Sequence, residues 1–202
     1  MNADVLIIGS GVAALQLAKR LRQDLNVIIL TKSTVKNGNS YMAQGGIAAA
    51  LGVNDHPSKH YMDTLEAGRF HNDSDAVLSL TSEAPSLIKE LNQEGCLFDM
   101  DSEGAFALGM EGAHSESRIV HGGGDSTGKT VIDFMLSNKN QNVRIMENVL
   151  VFQLLINETE GSCIGVKGKD SNGVIHRFIS SHVVLATGAA ASYMNIHPMP
   201  IP

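Results

Sequence analysis

The sequence predicts an α/β fold, with a parallel sheet flanked by helices and a β-meander late in the chain. Three observations predict it. The first is Asp4-Val5-Leu6-Ile7-Ile8-Gly9-Ser10-Gly11-Val12-Ala13-Ala14, an apolar run that ends in Gly-x-Gly-x-x-Ala. The second is Asn26-Val27-Ile28-Ile29-Leu30, another apolar run one helix length further on. The third is a change of period after Asn142, from helical spacing to short β-rich runs separated by turn signals.

Taken in order, residues 4–8 read as a buried strand, because four consecutive apolar residues suit a sheet covered on both faces. The glycine pattern then opens a helix over about 11–24, whose Leu15, Leu17, Ala18 and Leu21 share an apolar face. Gly9 permits the tight turn, Gly11 lets backbone approach a phosphate without a Cβ clash, and Ala14 lets the helix lie close on the strand. The helix start presents unpaired N–H groups and roughly half a positive charge, which suits a pyrophosphate. Gly9, Ser10, Gly11, Val12, Ala13 and Ala14 are therefore the candidate cradle of a dinucleotide in a Rossmann-like domain. Residues 26–31 are the second strand, and a Gly-, Asn- and Ser-rich loop runs from Lys32 to Gly46.

Helices are expected over about 57–70 and 82–94, the second opened by Ser82, Glu83 and Pro85 and capped by Gly95. Residues 99–126 are polar and rich in Gly, Ser and His; so long a connection is usually functional or ordered by a ligand. Thr127 to Asn138 reads as a helix. Strands follow at Val143–Met146, Val149–Ile156, Ser162–Lys167 and Val174–Ile179, with turns at Asn157–Gly161 and Asp170–Gly173. His182 to Gly188 reads as a closing strand that ends in a glycine turn.

Composition narrows the function classes. The net charge of −6 over 202 residues leaves no basic stripe for a nucleic acid. No apolar run approaches the roughly 20 residues of a membrane helix, and the first strand starts almost at Met1, so no signal peptide and a cytoplasmic location are expected. Cys96 and Cys163 read as reduced, buried thiols, with a disulfide as the alternative.

A second motif is Tyr41-Met42-Ala43-Gln44-Gly45-Gly46-Ile47-Ala48-Ala49-Ala50. A glycine pair followed by small residues lets the main chain pass close to a flat ring, and successive N–H groups then bind flavin carbonyls and ring nitrogens. The plainer reading is a tight turn before a short helix.

On these residues the chain resembles the flavoprotein subunits of succinate dehydrogenase and fumarate reductase, and within that family the L-aspartate oxidases. The resemblance runs from about residue 3 to residue 188. It is carried by Gly9–Ala14, Leu30-Thr31-Lys32, Ala43–Ala49, Glu111–Gly128 and Val183-Val184-Leu185-Ala186-Thr187-Gly188. It implies an FAD-binding domain of two-dinucleotide-fold flavoprotein type. In that plan the meander is the crossover, and the strand after it returns to the parallel sheet near the cofactor, bringing Thr187 and Gly188. It also implies non-covalent FAD, because relatives that link the cofactor covalently place a His where Asn39 stands. Asn39, Ser40, Tyr41, Met42, Ala43, Gln44, Gly45 and Gly46 are then the flavin-binding segment.

Met110 to His121 looks like the signature of the aspartate-oxidising branch. The resemblance implies that Glu111 pairs with the substrate α-ammonium, which succinate lacks; a solvated loop carboxylate is the alternative. Thr31-Lys32 stands where many dinucleotide folds end the second strand in Asp or Glu. It matches this family's Ser/Thr-Lys variant and places Lys32 near the adenosine end of FAD, with a surface lysine as the alternative. The implied activity is oxidation of L-aspartate to iminoaspartate, with oxygen or fumarate as electron acceptor. That reaction opens quinolinate and NAD synthesis, with a partner from that pathway. The alternatives are a fumarate reductase- or succinate dehydrogenase-like flavoprotein fragment, or an FAD-binding module without catalysis.

Two other patterns compete. Gly123-Gly124-Asp125-Ser126-Thr127-Gly128-Lys129-Thr130 fits the G-x-x-x-x-G-K-T phosphate loop in full, yet no buried strand precedes it. His56 and His60 share helical spacing, but no third ligand is evident, so they read as solvated helix histidines and no metal is expected. His114 and His121 lie beside Glu111 in sequence and help shape its surroundings. The expected organisation is a partial FAD-binding domain over 1–188, with a helical and loop insert at about 53–140 and the meander at about 149–180. The tail 189–202 departs from the family and is read as aberrant or disordered. The family's capping and C-terminal domains, with its catalytic arginine, would lie beyond it, so no catalytic residue is assigned.

Overall fold

The computed structural model describes residues 1–188, so the expectation for 189–202 lies outside the described residues. In chain order the elements are β1 (Asn2–Ile8), α1 (Val12–Arg20), β2 (Val27–Leu30), a 3-10 turn (Val35–Asn37), α2 (Asn39–Met42), β3 (Ile47–Ala48), α3 (Pro57–Ala67) and α4 (Ser74–Gln93). They continue with β4 (Leu108–Gly109), β5 (Ile119–Val120), α5 (Thr127–Ser137), β6 (Val143–Met146), β7 (Val149–Asn157), β8 (Ser162–Asp170) and β9 (Ile175–Leu185). The chain divides into two units, one formed by Met1–Gly38 with the segment from Asn138 onward, the other by Asn39–Ser137.

The first unit is built on a six-stranded sheet in the order β6-β2-β1-β9-β8-β7. β1 pairs in parallel with β2 (Val5 with Val27, Ile8 with Leu30) and with β9 (Val5 with His182, Ile8 with Leu185). β6 joins β2 in parallel, while β7, β8 and β9 form the antiparallel meander. All four residues Val5–Ile8 and all four residues Val27–Leu30 are buried, as their unbroken apolar runs require. Ala14, Leu15 and Ala18 of α1 are buried too. One core cluster joins both halves of the sheet: Leu6, Ile8, Ile28 and Leu30 from the parallel strands, Val149, Val166 and Phe178 from the meander.

Several boundaries shift from the sequence reading by a few residues, and two of the changes have a local cause. α1 stops at Arg20, four residues early, where Leu21 turns extended at ψ 151. The following turn has its own fasteners: Arg22 pairs with Asp24, Asp4 accepts from Asn26 N at 2.7 Å, and Asn142 Nδ2 donates to Leu25 O at 2.7 Å. The two last expected strands are one strand, β9. Ser180 and Ser181 look like a break in sequence. In the fold Ser180 is 4% exposed, and its hydroxyl lies 2.9 Å from the carbonyls of Asp4 and His182. A buried polar group so satisfied leaves the strand intact.

The second unit holds α2 to α5 and a small antiparallel sheet in the order β3-β5-β4. α4 begins eight residues before the expected start. Asp73 is its cap, accepting from Asp75 N at 3.1 Å and Ala76 N at 3.0 Å, so Pro85 lies inside the helix instead of in its first turn. α3 ends at Ala67, three residues early, because Arg69 and Phe70 adopt φ of 50° and 58°, outside helical space. α5 opens at Thr127 as expected. The segment 99–126 is not free loop: it contributes β4, β5 and a bridge between Met100 and Phe106. Cys96 is buried, Cys163 is half-buried, and neither belongs to a disulfide.

Candidate functional site

At the carboxyl ends of β1, β2 and β9 the candidate dinucleotide cradle assembles. Gly9 N donates to Leu30 O at 2.8 Å and Ala186 N donates to Ile8 O at 2.8 Å, so the three strands stay paired up to the turn. Gly9 has φ +109°, and a Cβ there would overlap the carbonyl of Ala186 and press on Thr187 Cα. The site thus demands glycine for a reason the sequence did not disclose: the closing strand passes directly against the turn. Gly11 caps α1 with no side-chain bond to the helix, and the first turn carries no acidic residue. Its last turn carries Lys19 and Arg20, which complement the helix dipole at the other end. Ser10 is 8% exposed and donates its hydroxyl to Thr31 Oγ1 at 3.0 Å, tying the turn to the end of β2. Val12, Ala13, Lys32, Thr187 and Gly188 are exposed, Gly11 is half-buried, and Ala14 is wholly buried beneath them.

In the second unit, Asn39–Met42 forms a single helical turn, which the sequence reading missed within its loop. Asn39, Met42, Ala43, Gln44 and Gly45 are exposed; Ser40, Tyr41 and Gly46 are half-buried. The segment then enters strand β3, so the plainer reading of a turn before a short helix is corrected: Ile47 pairs with Val120 and Ala48 with Ile119. A Cβ on Gly46 would collide with Ile119 and the carbonyl of Val120. Gly128 braces the same segment from α5. Its N–H donates to Ala43 O at 3.0 Å, and a Cβ there would strike the carbonyls of Ser40 and Ala43. Backbone geometry over 40–46 is therefore set by contacts to β5 and α5.

Glu111 lies exposed in the connection between β4 and β5. Around that connection sits a charged cluster that sequence reasoning missed. Arg118 is 0% exposed. Its Nε and Nη2 donate to the two carboxylate oxygens of Asp55, each at 2.9 Å, and its Nη1 donates to Asp63 Oδ2 at 2.5 Å. Nη1 also reaches His114 Nδ1 at 3.2 Å. Ser115 donates to the same Asp63 oxygen through both N and Oγ, at 2.8 Å each. Lys59 pairs with Glu116 at 2.5 Å. Burial raises the Asp63 carboxyl, but the Ser115 hydrogen bonds and Arg118 outweigh it and hold the group below its ordinary value. Burial likewise lowers Arg118, and the two carboxylates override it, so the guanidinium stays charged.

Of the two histidines read as solvated helix residues, His56 is exposed and His60 is corrected. His56 precedes α3 as its cap, its Nδ1 accepting from Ser58 N at 3.2 Å. His60 is 3% exposed, with its ring 5.8 Å from that of His114 and its Nδ1 without a partner. Burial pushes His60 below its ordinary value, and Arg118 and His114 push it further than Asp55 and Asp63 restore it. Among the described residues no group of three or more ligating side chains is placed to hold a metal ion.

The phosphate-loop pattern is occupied from within. Gly123 N and Gly124 N donate to the two oxygens of Asp99 at 2.8 and 2.9 Å, which fills the anion position with a side chain of this chain. The strand before the loop, β5, is two residues long and antiparallel to both neighbours. Neither feature suits a triphosphate. The helix start at Thr127 instead serves the packing of α5 on α2.

A parallel sheet with a glycine turn at its carboxyl end, crossed by a meander whose last strand returns beside that turn, defines a dinucleotide-binding flavoprotein domain. The chain belongs to the FAD binding domain family, which matches residues 4–199. Within it the chain is similar to L-aspartate oxidases. It is 41% identical over 193 residues to that of Bacillus subtilis, covering 96% of this chain and 36% of the relative. It is 40% identical over 194 residues to that of Streptomyces coelicolor, covering 92% of this chain and 33% of the relative. Among solved structures it is similar to the Sdh1 complex of Mycobacterium smegmatis in the apo form, at TM-score 0.83 and 30% identity, covering 93% of this chain and 34% of that one. It also shares the fold of the quinol fumarate reductase of E. coli, at TM-score 0.86 and 21% identity, covering 94% of this chain and 33% of that one. The chain spans about a third of the length of these curated relatives.

FAD is the cofactor of this family, and the residues present fit it. The glycine turn at the carboxyl end of β1 leads straight into α1, whose start carries neither a capping side chain nor an acid to oppose a diphosphate.

Proposed function

We propose that this chain is the FAD-binding portion of an L-aspartate oxidase, which converts L-aspartate to iminoaspartate. The observation that carries the proposal is the 41% identity over 96% of the chain to an enzyme of that name. Bound FAD supplies the hydride acceptor. The chain's own residues do the rest of what can be assigned. Gly9 to Ala14 hold the diphosphate through main-chain N–H groups and the positive end of α1. Lys32, exposed after β2, takes the adenosine end, and Thr187, against the glycine turn, joins it with Gly188. The backbone of Asn39 to Gly46, set by Gly128 and β5, contributes N–H groups to the flavin ring.

Glu111 selects the substrate. A carboxylate beside the bound substrate attracts the α-ammonium of aspartate and repels a dicarboxylate that lacks it. Asn39 offers no imidazole for a covalent flavin bond, so FAD is held non-covalently and acid denaturation releases it intact. Electrons leave to oxygen or fumarate. The reaction belongs to quinolinate and NAD synthesis, with a partner from that pathway. A cytoplasmic setting suits it: no described helix is long and apolar enough to cross a membrane, and the net charge of −6 offers nothing to nucleic acid. No residue among these 202 is assigned the proton transfer.

The test compares L-aspartate and succinate as ligands that perturb the flavin spectrum of the FAD-loaded protein, with Glu111→Gln beside the wild type. The proposal expects the wild type to prefer aspartate by about tenfold, the size of one charge-assisted pair, and Glu111→Gln to lose that preference. An unchanged preference in Glu111→Gln removes Glu111 from the selector role.

A further inference from the structure

Arg118 is the largest wholly buried side chain of the described residues, and it is charged. Burying a guanidinium with two carboxylates gives little net stability, because desolvation offsets the attraction, and a well-packed apolar group serves a core as well. What such a cluster does give is fixed geometry. Its partners here are not spread at random. Asp55 precedes α3 and Asp63 lies within it, while Ser115, His114 and Arg118 itself all belong to the connection that carries Glu111. Arg118 N donates to Gly109 O at 3.0 Å and closes the base of that connection. His114 N donates to Glu111 O at 3.3 Å, and Ala113 between them has φ +67°. A non-glycine residue in the left-handed region persists only where its surroundings hold it there. The Asp63 oxygen that receives Ser115 N, Ser115 Oγ and Arg118 Nη1 is the nearest such hold.

We infer that Asp63, with Arg118 and Asp55 behind it, is a positioning residue that sets the Glu111–Ser115 turn and thereby aims the Glu111 carboxylate. This rests on the reading of Glu111 as the ammonium selector. Asp63 acts through its bonds to Ser115 and hence through the turn. A brace with no such role would hold α3 against the connection and affect every ligand alike.

Two variants test it. Ser115→Ala removes one hydrogen bond on an exposed residue and leaves the buried ion pairs in place. Asp63→Asn keeps the shape but removes the charge. Hydrogen exchange of the unliganded protein reads the turn directly: both variants speed exchange over residues 111–117 and leave β1 and α1 unchanged. Flavin-perturbation titrations of the FAD-loaded protein read the consequence. Asp63→Asn weakens L-aspartate about tenfold, as one charge-assisted contact would, and leaves succinate within about twofold. In the double variant with Glu111→Gln, the Asp63→Asn effect on aspartate vanishes, because a residue acting through Glu111 has nothing left to aim. Unchanged exchange in both variants overturns the inference. So does equal weakening of both ligands, or full additivity with Glu111→Gln. If Glu111→Gln abolishes the preference and Asp63→Asn preserves it, only the positioning inference falls. If Glu111→Gln itself preserves it, the selector reading fails and takes this inference with it.

Discussion

Single residues carry two conclusions of different legibility. Gly9 was legible as a turn residue from its pattern alone, yet the structure gives a second reason, the carbonyl of Ala186 in the space a Cβ would take. Gly9→Ala should therefore lower folding stability by about 1–3 kcal/mol, the cost of a strained backbone position, and also abolish FAD binding. A urea titration and a flavin-quenching titration on the same sample check both. His60 was not legible, because nothing in a His at helical spacing reports its burial. Its folded-state value lies below the ordinary 6.5, so between those two values the unfolded chain binds more protons than the folded one. Stability therefore rises with pH through that window and falls as the solution is acidified below about 6.5. Asp63 is lowered as well but acts in a more acidic range: its contribution is present above its unfolded value of 3.8 and is lost only as pH falls further. Urea midpoints measured from about pH 7.5 to about pH 5.5 should decline, and His60→Gln should flatten that decline. A wild-type midpoint constant over the range would show that His60 is not buried neutral.

At the scale of elements, existence was easier to read than extent. The runs Val5–Ile8 and Val27–Leu30 are apolar without interruption and became the fully buried centre of the sheet. The start of α4 is hidden in the sequence because Ser82, Glu83 and Pro85 imitate a helix opening, whereas Asp73 provides the cap. Pro85 in the interior lacks an N–H for Thr81 O, and the ring crowds that carbonyl. Thr81, wholly buried, turns its hydroxyl to Val77 O at 2.9 Å. Pro85→Ala should thus stabilise the protein by about 1–3 kcal/mol, and Asp73→Ala should destabilise it by about 1 kcal/mol. Both appear as shifts of the thermal midpoint, in opposite directions. A Pro85→Ala chain that melts earlier would mean the proline fills a packing need greater than the helix bond it removes. In sequence β9 resembles two strands, because adjacent serines interrupt its apolar pattern. Pairing to β8 on one half and β1 on the other joins them, and sequence spacing does not report such pairing.

Across the whole molecule, what could be read depended on sequence distance. The glycine turn, the second strand and the meander are local patterns, and the family's fold followed from them. The Arg118 cluster is not local: its carboxylates lie 63 and 55 positions away, so no window of the sequence contains it. The same holds for Gly128 against Ala43 and for Asp99 on the Gly123 and Gly124 amides, which turned a full phosphate-loop match into an internally satisfied loop. The reading proposed for the first unit is that its glycine turn grips the diphosphate of FAD. Titration of the purified chain with FAD, followed by quenching of flavin fluorescence, tests it most directly. The account predicts saturation at one FAD per chain, with the flavin released unmodified on acid denaturation. A chain whose circular dichroism shows the sheet intact, and which leaves flavin fluorescence unchanged at every concentration, would contradict it.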